Sequence, residues 1–253
     1  MGKAICLINQ KGGVGKTATS VHLGAFLSEK GYKTLLIDFD PQCDSTKSLK
    51  AFNENYNAFD FINESDKKID FYKHSINDNY FILTGDRRIK DVKLDRKRIK
   101  NKVDILKKYF DYILIDCNPH LLEENRITLN EAILVASDFA ILPTDPDPNS
   151  MQNTTYFLPD VLKIKKLHNH DLKVLGIVFT KVDANRKIFK KYFDEFKSQN
   201  QEFIFKSFIR NDEKIRHSQL IGETIYEYDR NSNAFKDFNE FGDEVLQKIK
   251  IYE

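Results

Sequence analysis

Eight consecutive residues, Gln10-Lys11-Gly12-Gly13-Val14-Gly15-Lys16-Thr17, combine three glycines with two lysines and a hydroxyl. They follow a short apolar run, Ala4–Asn9, and precede a helix-like stretch, Thr17–Lys30, that stops at Gly31. Glycines let backbone N–H groups turn inward around phosphate oxygens. The N-terminus of the following helix adds partial positive charge. In that setting Lys16 is expected to reach the β- and γ-phosphates of a nucleotide. The Thr17 hydroxyl is expected to ligate Mg2+, an ion that keeps several waters and takes few protein ligands. The nucleotide-binding stretch is read as Gly12, Gly13, Val14, Gly15, Lys16, Thr17 and Ala18. Where the common form of such a loop starts with glycine, this chain has Gln10, so the loop is a variant.

Phosphoryl transfer also needs a metal, a positioned water and positive charge around the γ-phosphate. Two acidic segments lie where strands end. Asp38-Phe39-Asp40-Pro41-Gln42 closes the apolar run Lys33–Asp38, and Asp116 closes Tyr112-Ile113-Leu114-Ile115. Four apolar residues put that second strand in the core, so Asp116 emerges at its carboxyl end near Mg2+. Cys117-Asn118-Pro119-His120 follows. Further on, Thr180-Lys181-Val182-Asp183 has the spacing by which an aspartate can read a guanine edge.

Lys11-Gly12-Gly13-Val14-Gly15-Lys16-Thr17 resembles the deviant Walker A loop of the ParA/MinD family of ATPases. The resemblance implies that ATP closes a sandwich homodimer in which Lys11 reaches the partner's nucleotide, and that hydrolysis reopens it. It implies catalytic roles for Lys11, Lys16 and Asp40, with Asp40 positioning or activating the attacking water. It implies a Mg2+ site served by Thr17, Asp38 and Asp116. Lys11 has no counterpart in the related guanine-reading enzymes, which favours ATP over GTP. Two departures stand out: Ala18 follows Thr17 where the family often repeats threonine, and Asn118 replaces a proline after Asp116. Asn130, Ala136-Ser137-Asp138 and the stretch Ile209–Gly222 with Tyr228-Asp229 also resemble family segments.

These residues must be positioned by a sheet. Runs of Leu, Ile and Val without alternation mark strands covered on both faces. Their alternation with helix-like stretches implies a mostly parallel central sheet with helices on either side. The expected fold is α/β, a three-layer P-loop NTPase arrangement, with residues 1–253 as one domain. Ligands of such sheets sit at the carboxyl ends of the strands, where the lysines and acids above are found. Further strands are expected at Tyr80–Leu83, Phe139–Leu142 and Val174–Phe179. Helices are expected at Arg96–Phe110, around Phe189, Tyr192, Phe193 and Phe196, and from Ala234 to Ile249. Residues 53–79 are polar and read as an irregular surface stretch.

The net charge of +2 neither implies nor excludes nucleic acid, so local clusters decide. Arg186, Lys187, Lys190 and Lys191 form one cluster, and Arg210, Lys214 and Arg216 form another. The resemblance places both near a face for non-specific DNA. Residues 87–108 hold eleven basic and three acidic residues, a stretch suited to DNA or to an acidic partner. Cys6, Cys43 and Cys117 have neither metal-ligand spacing nor an even count for disulfides, as in a reducing compartment. No apolar run approaches the length of a spanning helix, and the tail Gln247–Glu253 lacks a broad apolar face. The chain thus reads as cytoplasmic and nucleoid-associated, without a stable membrane anchor. It resembles the short ParA proteins, which lack an N-terminal helix-turn-helix. That resemblance implies plasmid or chromosome partition, with hydrolysis stimulated by a ParB-like centromere-binding protein. The alternatives are a MinD-like membrane cycle and the positioning of protein cargo.

Overall fold

The computed structural model describes residues 1–63, 67–120, 122–123, 126–183, 196 and 203–252. In chain order the elements are β1 (Lys3–Leu7), α1 (Lys16–Glu29), β2 (Thr34–Phe39), α2 (Asp44–Ser48), α3 (Ala58–Asn63), β3 (Tyr72–Lys73) and β4 (Tyr80–Leu83). They continue with α4 (Arg96–Leu106), β5 (Tyr112–Cys117), α5 (Leu129–Ala136), β6 (Phe139–Thr144), α6 (Pro148–His168), β7 (Lys173–Val182) and β8 (Ile204–Arg210). The chain closes with α7 (Glu213–Ile221), α8 (Ile225–Tyr228) and α9 (Asn233–Lys250).

Among the described residues eight strands join one sheet in the order β3-β4-β2-β5-β1-β6-β7-β8. Pairing is parallel throughout except at the edge, where β3 runs antiparallel to β4. Neighbouring side chains point to opposite faces of a strand, and both faces here are apolar. Ala4, Cys6, Leu35, Ile37, Ile113 and Ile115 pack beneath α3 to α6. Ile5, Leu7, Leu36, Leu114 and Ile141 pack beneath α1 and α9. The result is the three-layer α/β architecture expected from the non-alternating runs.

Helix boundaries follow local chemistry. The Asp95 side chain caps α4 by accepting from the amides of Lys97 and Arg98. Thr128 caps α5, and Asp147 caps α6 ahead of Pro148. Ser232 caps α9, whose Phe238, Phe241, Val245 and Ile249 are buried. Two expectations need correction. The helix expected to run to Phe110 ends at Leu106, and a turn carries the chain into β5. Residues 53–79 are not uniformly irregular, because they contain α3 and β3, and Phe61 and Ile62 of α3 lie in the core. The helix expected around Phe189, Tyr192 and Phe193 lies outside the described residues.

Candidate active site

The phosphate-loop residues leave β1 through Asn9, a buried amide that ties the loop down. Its Nδ2 donates to the Pro143 carbonyl at 2.8 Å and to Thr154 Oγ1 at 2.9 Å, while its Oδ1 accepts from the Lys11 amide at 3.0 Å. Gly15 opens α1 in the left-handed region, at φ 82°. A Cβ there would also lie 2.9 Å from Thr180 Oγ1, so both conformation and space demand glycine. β7 presses on the loop from that side. Thr180 Oγ1 donates to the Val14 carbonyl at 2.9 Å, and Lys181 Nζ donates to the Gly13 carbonyl at 2.6 Å. The Thr180-Lys181 pair, read from sequence as part of a base-reading segment, thus clamps the loop.

Lys16 starts α1 and is almost fully buried. Its Nζ donates to the Lys11 carbonyl at 2.9 Å, across the curl of the loop. Burial lowers its pKa, and the charges of Asp116 and Asp40 work against that shift. Asp116 faces it from the end of β5. Its carboxylate accepts from Ser45 Oγ at 2.6 Å and Ser20 Oγ at 3.3 Å, and the nearby Thr17 hydroxyl helps to hold its pKa down. Asp38 sits directly across the sheet, in register with Asp116. It accepts from the Thr46 amide at 2.9 Å, Thr46 Oγ1 at 2.7 Å and the Asp40 amide at 3.2 Å. Gly85 leaves room for this carboxyl, since a Cβ would come within 2.9 Å of it.

Burial dominates the electrostatics. It pushes the Asp38 carboxyl up to about 7, and the adjacent Asp116 charge adds to the shift. Burial likewise raises Asp116 to about 6, although Ser45, Thr17 and Lys16 oppose the shift. Asp40 is also raised, by burial first, against the hydrogen bond from the Gln42 amide at 2.8 Å. Two buried carboxylates side by side repel each other, and a cation next to Asp116 and Thr17 would relieve both. The donors are hard oxygens, the Asp116 carboxylate beside the Thr17 hydroxyl with Asp38 adjacent. Such a set fits an ion such as Mg2+, which needs few protein ligands beside water and phosphate oxygens.

A cleft of about 420 Å3 opens above these groups, lined by Gly12, Gly13, Lys16, Asp40, Lys181 and Gln219 among others. A second cleft of about 370 Å3 shares Gly15, Ala18, Lys181 and Gln219 with it and extends to Arg210, Asn211 and Asp212. Together they form a trough leading from the phosphate loop to the β8–α7 connection. Lys11 lies outside both clefts and reaches α6 instead. Its Nζ pairs with Asp147 Oδ1 at 3.3 Å and hydrogen-bonds to Ser150 Oγ.

The structure therefore brings together Lys16, Thr17, Asp38, Asp40 and Asp116 and turns Lys11 to the side. It adds Ser20, Ser45 and Thr46, which sequence reading did not assign to the site, and gives Thr180 and Lys181 of the base-reading segment a hold on the loop. Asn118 is buried and held by Asn130, whose Nδ2 donates to the carbonyls of Asn118 and His120 at 3.0 and 2.9 Å. Of the candidate DNA contacts, Arg186, Lys187, Lys190 and Lys191 lie outside the described residues. Arg210 is committed to an internal pair, with Nε 2.9 and 3.0 Å from the two oxygens of buried Asp237. Lys214 pairs with Asp229 at 2.5 Å. Arg216 is exposed.

A family model described as "AAA domain" matches residues 2–174. The sporulation initiation inhibitor protein Soj of Bacillus subtilis (strain 168) is 30% identical over 255 residues, covering 97% of this chain and 98% of Soj. The chromosome partitioning protein ParA of Myxococcus xanthus (strain DK1622) is 28% identical over 260 residues, covering 98% of this chain and 89% of ParA. Among solved structures, the septum site-determining protein MinD complexed with Mg-ADP from Pyrococcus horikoshii OT3 superimposes with a TM-score of 0.80 at 22% identity. That superposition covers 100% of this chain and 99% of MinD, and it carries the fold alone. With its phosphate loop between β1 and α1, its acids at the ends of β2 and β5, and full-length similarity to Soj, the chain belongs to the AAA-domain family and is a P-loop ATPase of the ParA/MinD type.

Proposed function

We propose that this protein is a partition ATPase that binds Mg-ATP, dimerises on it and holds non-specific DNA until a ParB-like centromere-binding protein stimulates hydrolysis. The observation that carries the reading is the divergence of the two loop lysines. Lys16 points across the loop toward Asp116, while Lys11 pairs with the start of α6 outside the cleft. In this reading Lys16 trades the Lys11 carbonyl for β- and γ-phosphate oxygens. Gly12 to Ala18 supply amides to the phosphates, and Thr17, Asp116 and Asp38 hold or support Mg2+, which when bound offsets phosphate charge. Asp40, at the cleft wall, holds the attacking water. Lys11 leaves Asp147 and Ser150 to meet the nucleotide of the partner subunit.

Relatives named for chromosome partitioning support plasmid or chromosome cargo and a nucleoid location. Among the described residues no helix is long and apolar enough to cross a membrane. α9 also spends its apolar face on the sheet, which favours DNA over a membrane cycle. The test is a gel shift with a non-specific duplex in ATP, ADP and no nucleotide. Binding confined to ATP and weakening steeply with salt is the expected result. No binding in any state would turn the reading toward protein cargo.

A further inference from the structure

The eleven cations of residues 87–108 divide into two groups in the fold. Six are engaged. Arg88 pairs with Asp86 at 2.6 Å, Arg96 with Glu131 at 2.5 Å, and Lys107 with Asp138 at 2.9 Å. Arg98 donates to the Lys93 carbonyl at 2.7 Å, Lys100 pairs with Asp104 at 3.6 Å, and Lys102 donates to the Phe61 carbonyl. Arg87, Lys90, Lys93, Lys97 and Lys108 are exposed and have no side-chain partner among the described residues.

Four of these five fall at spacings of three, three and four residues along a short 3-10 turn (Arg87–Asp91) and the entry to α4. Ile89, Val92 and Ile99 of the same segment are buried, and Leu94 is half-buried. One side of the segment is thus fixed to the core, which leaves Arg87, Lys90, Lys93 and Lys97 as an exposed strip along the chain. Of the acids in the same segment, Asp86 is used by Arg88 and Asp95 as the α4 cap, which leaves Asp91, with Glu123 lining a small cavity beside Lys90. The first turn of α4 carries Arg96, Lys97 and Arg98 with no acid. A helix N-terminus favours anions and disfavours cations. Placing three cations there is unfavourable for the isolated helix and favourable once an anion arrives.

The strip also adjoins the ATPase machinery. A small cavity of about 150 Å3 is shared by Ile89 and Lys90 with Pro41, Asn118 and His120. Pro41 follows Asp40 directly, and Asn118 stands two residues after Asp116. The strip thus borders, across that cavity, the two loops that carry Asp40 and Asp116.

We infer that Arg87, Lys90, Lys93 and Lys97 form the main phosphate-backbone contact of the DNA-bound state, in place of the ion-paired Arg210 and Lys214. This rests on the DNA-binding reading above and deepens it. The occupant is the phosphate backbone of duplex DNA, whose high charge density matches a row of hydrated, uncommitted cations.

The test uses anisotropy of a labelled non-specific duplex with the full chain in Mg-ATP, titrated between 50 and 200 mM salt. One variant carries R87Q, K90Q, K93Q and K97Q. A charge-matched control carries K166Q, K206Q, K236Q and K250Q, all exposed and elsewhere. The strip variant is expected to keep ATP affinity and ATP-driven dimerisation. Its DNA affinity should fall by at least about a hundredfold, and its log–log salt slope should shrink by about 3 to 4 per protomer. The control should stay within about threefold of wild type. The double variants R87Q/K90Q and K93Q/K97Q should each remove about half of that slope, so the inference stands or falls even if the quadruple variant is poorly folded. A strip variant that binds like wild type, or a control that loses as much, overturns the inference and leaves the partition reading intact. Loss of binding only in K214Q/R216Q would do the same. Wild-type protein that ignores DNA in ATP overturns both.

Discussion

The strand-end acids and the strip at residues 87–97 are both clusters of like charge, yet the fold treats them oppositely. Asp38 and Asp116 are dehydrated, in register on neighbouring strands, and already supplied with hydroxyl and amide donors. Charges held this way are strongly coupled, so changing one shifts the others. Arg87, Lys90, Lys93 and Lys97 stay hydrated on a surface whose apolar side is anchored. Such charges contribute little to folding and act nearly independently on a distant polyanion. The buried cluster is therefore expected to respond in an all-or-none manner, and the strip in proportion to the number of charges removed.

The sharpest way to break that contrast is Lys16→Ala. It removes a buried cation facing Asp116, and ATP affinity is expected to fall at least about a hundredfold, with turnover lost. Wild-type affinity in titration calorimetry would dissolve the assignment. Asp40→Ala is next. Turnover should drop on the order of 10^2- to 10^3-fold while ATP stays bound and the dimer accumulates on a sizing column. A monomeric, ATP-free variant would contradict the role given to Asp40.

Arg210→Ala tests whether a cation read from sequence as a DNA contact is structural. Its guanidinium holds the buried Asp237 carboxylate, so its loss leaves that acid unpaired. With a discount for the partial exposure of Arg210, the cost is about 2 kcal/mol, or about 6 °C in Tm, with DNA affinity little changed. An unaltered Tm with weakened DNA binding would reverse the reading.

His22 extends the buried side of the comparison to pH. It lies inside α1, with Nδ1 accepting from the Ile225 amide at 3.2 Å, and burial lowers its pKa to about 3. The unfolded chain takes up a proton below about pH 6.5, whereas the folded chain resists until about pH 3. Stability from this group is therefore complete above pH 6.5 and is lost as pH falls, by about 2 kcal/mol at pH 5. Urea unfolding at pH 5 and 7.5 should show wild type losing about 2 kcal/mol relative to His22→Gln, because the raised Asp38 and Asp116 carboxyls gain stability on acidification equally in both. An equal loss in both would assign it elsewhere. The smallest effect belongs to Lys97→Gln, which should alter stability by less than about 0.5 kcal/mol and the salt slope by about 0.9. A cooperative collapse of DNA binding in that single variant would erase the distinction between the two regions.

Much of this was readable from residue patterns, for a physical reason. Strands buried on both faces announce themselves as unbroken apolar runs, and β1, β2, β4, β5 and β6 fall within about two residues of those runs. The short α3 gave no such signal, because its buried Phe61 and Ile62 sit in a polar neighbourhood. β8 was also not read as a strand, since Lys206 and Ser207 interrupt its apolar residues. In the site, glycine and lysine spacing located the loop, but hydroxyls occur everywhere in a chain. Nothing local marks Ser45 as a donor to Asp116, or Thr180 as a latch on Val14 from 166 residues away. The strip was visible as composition. Only burial and pairing separate its outward cations from those that hold the fold together.

The register between β2 and β5 also constrains how this protein can evolve. Asp38 opposes Asp116 only because six consecutive residues of each strand align without a bulge. One inserted or deleted residue within either strand would rotate an acid into the opposite apolar layer and put in its place a neighbour, Ile37 or Phe39 in β2 and Ile115 or Cys117 in β5. Length variation is thus barred from the sheet centre and admitted at its margin, where the described part of residues 53–79 carries the short α3 and β3. Lineages that diverge in cargo or partner have that margin to lengthen or trim while the pair of acids remains aligned.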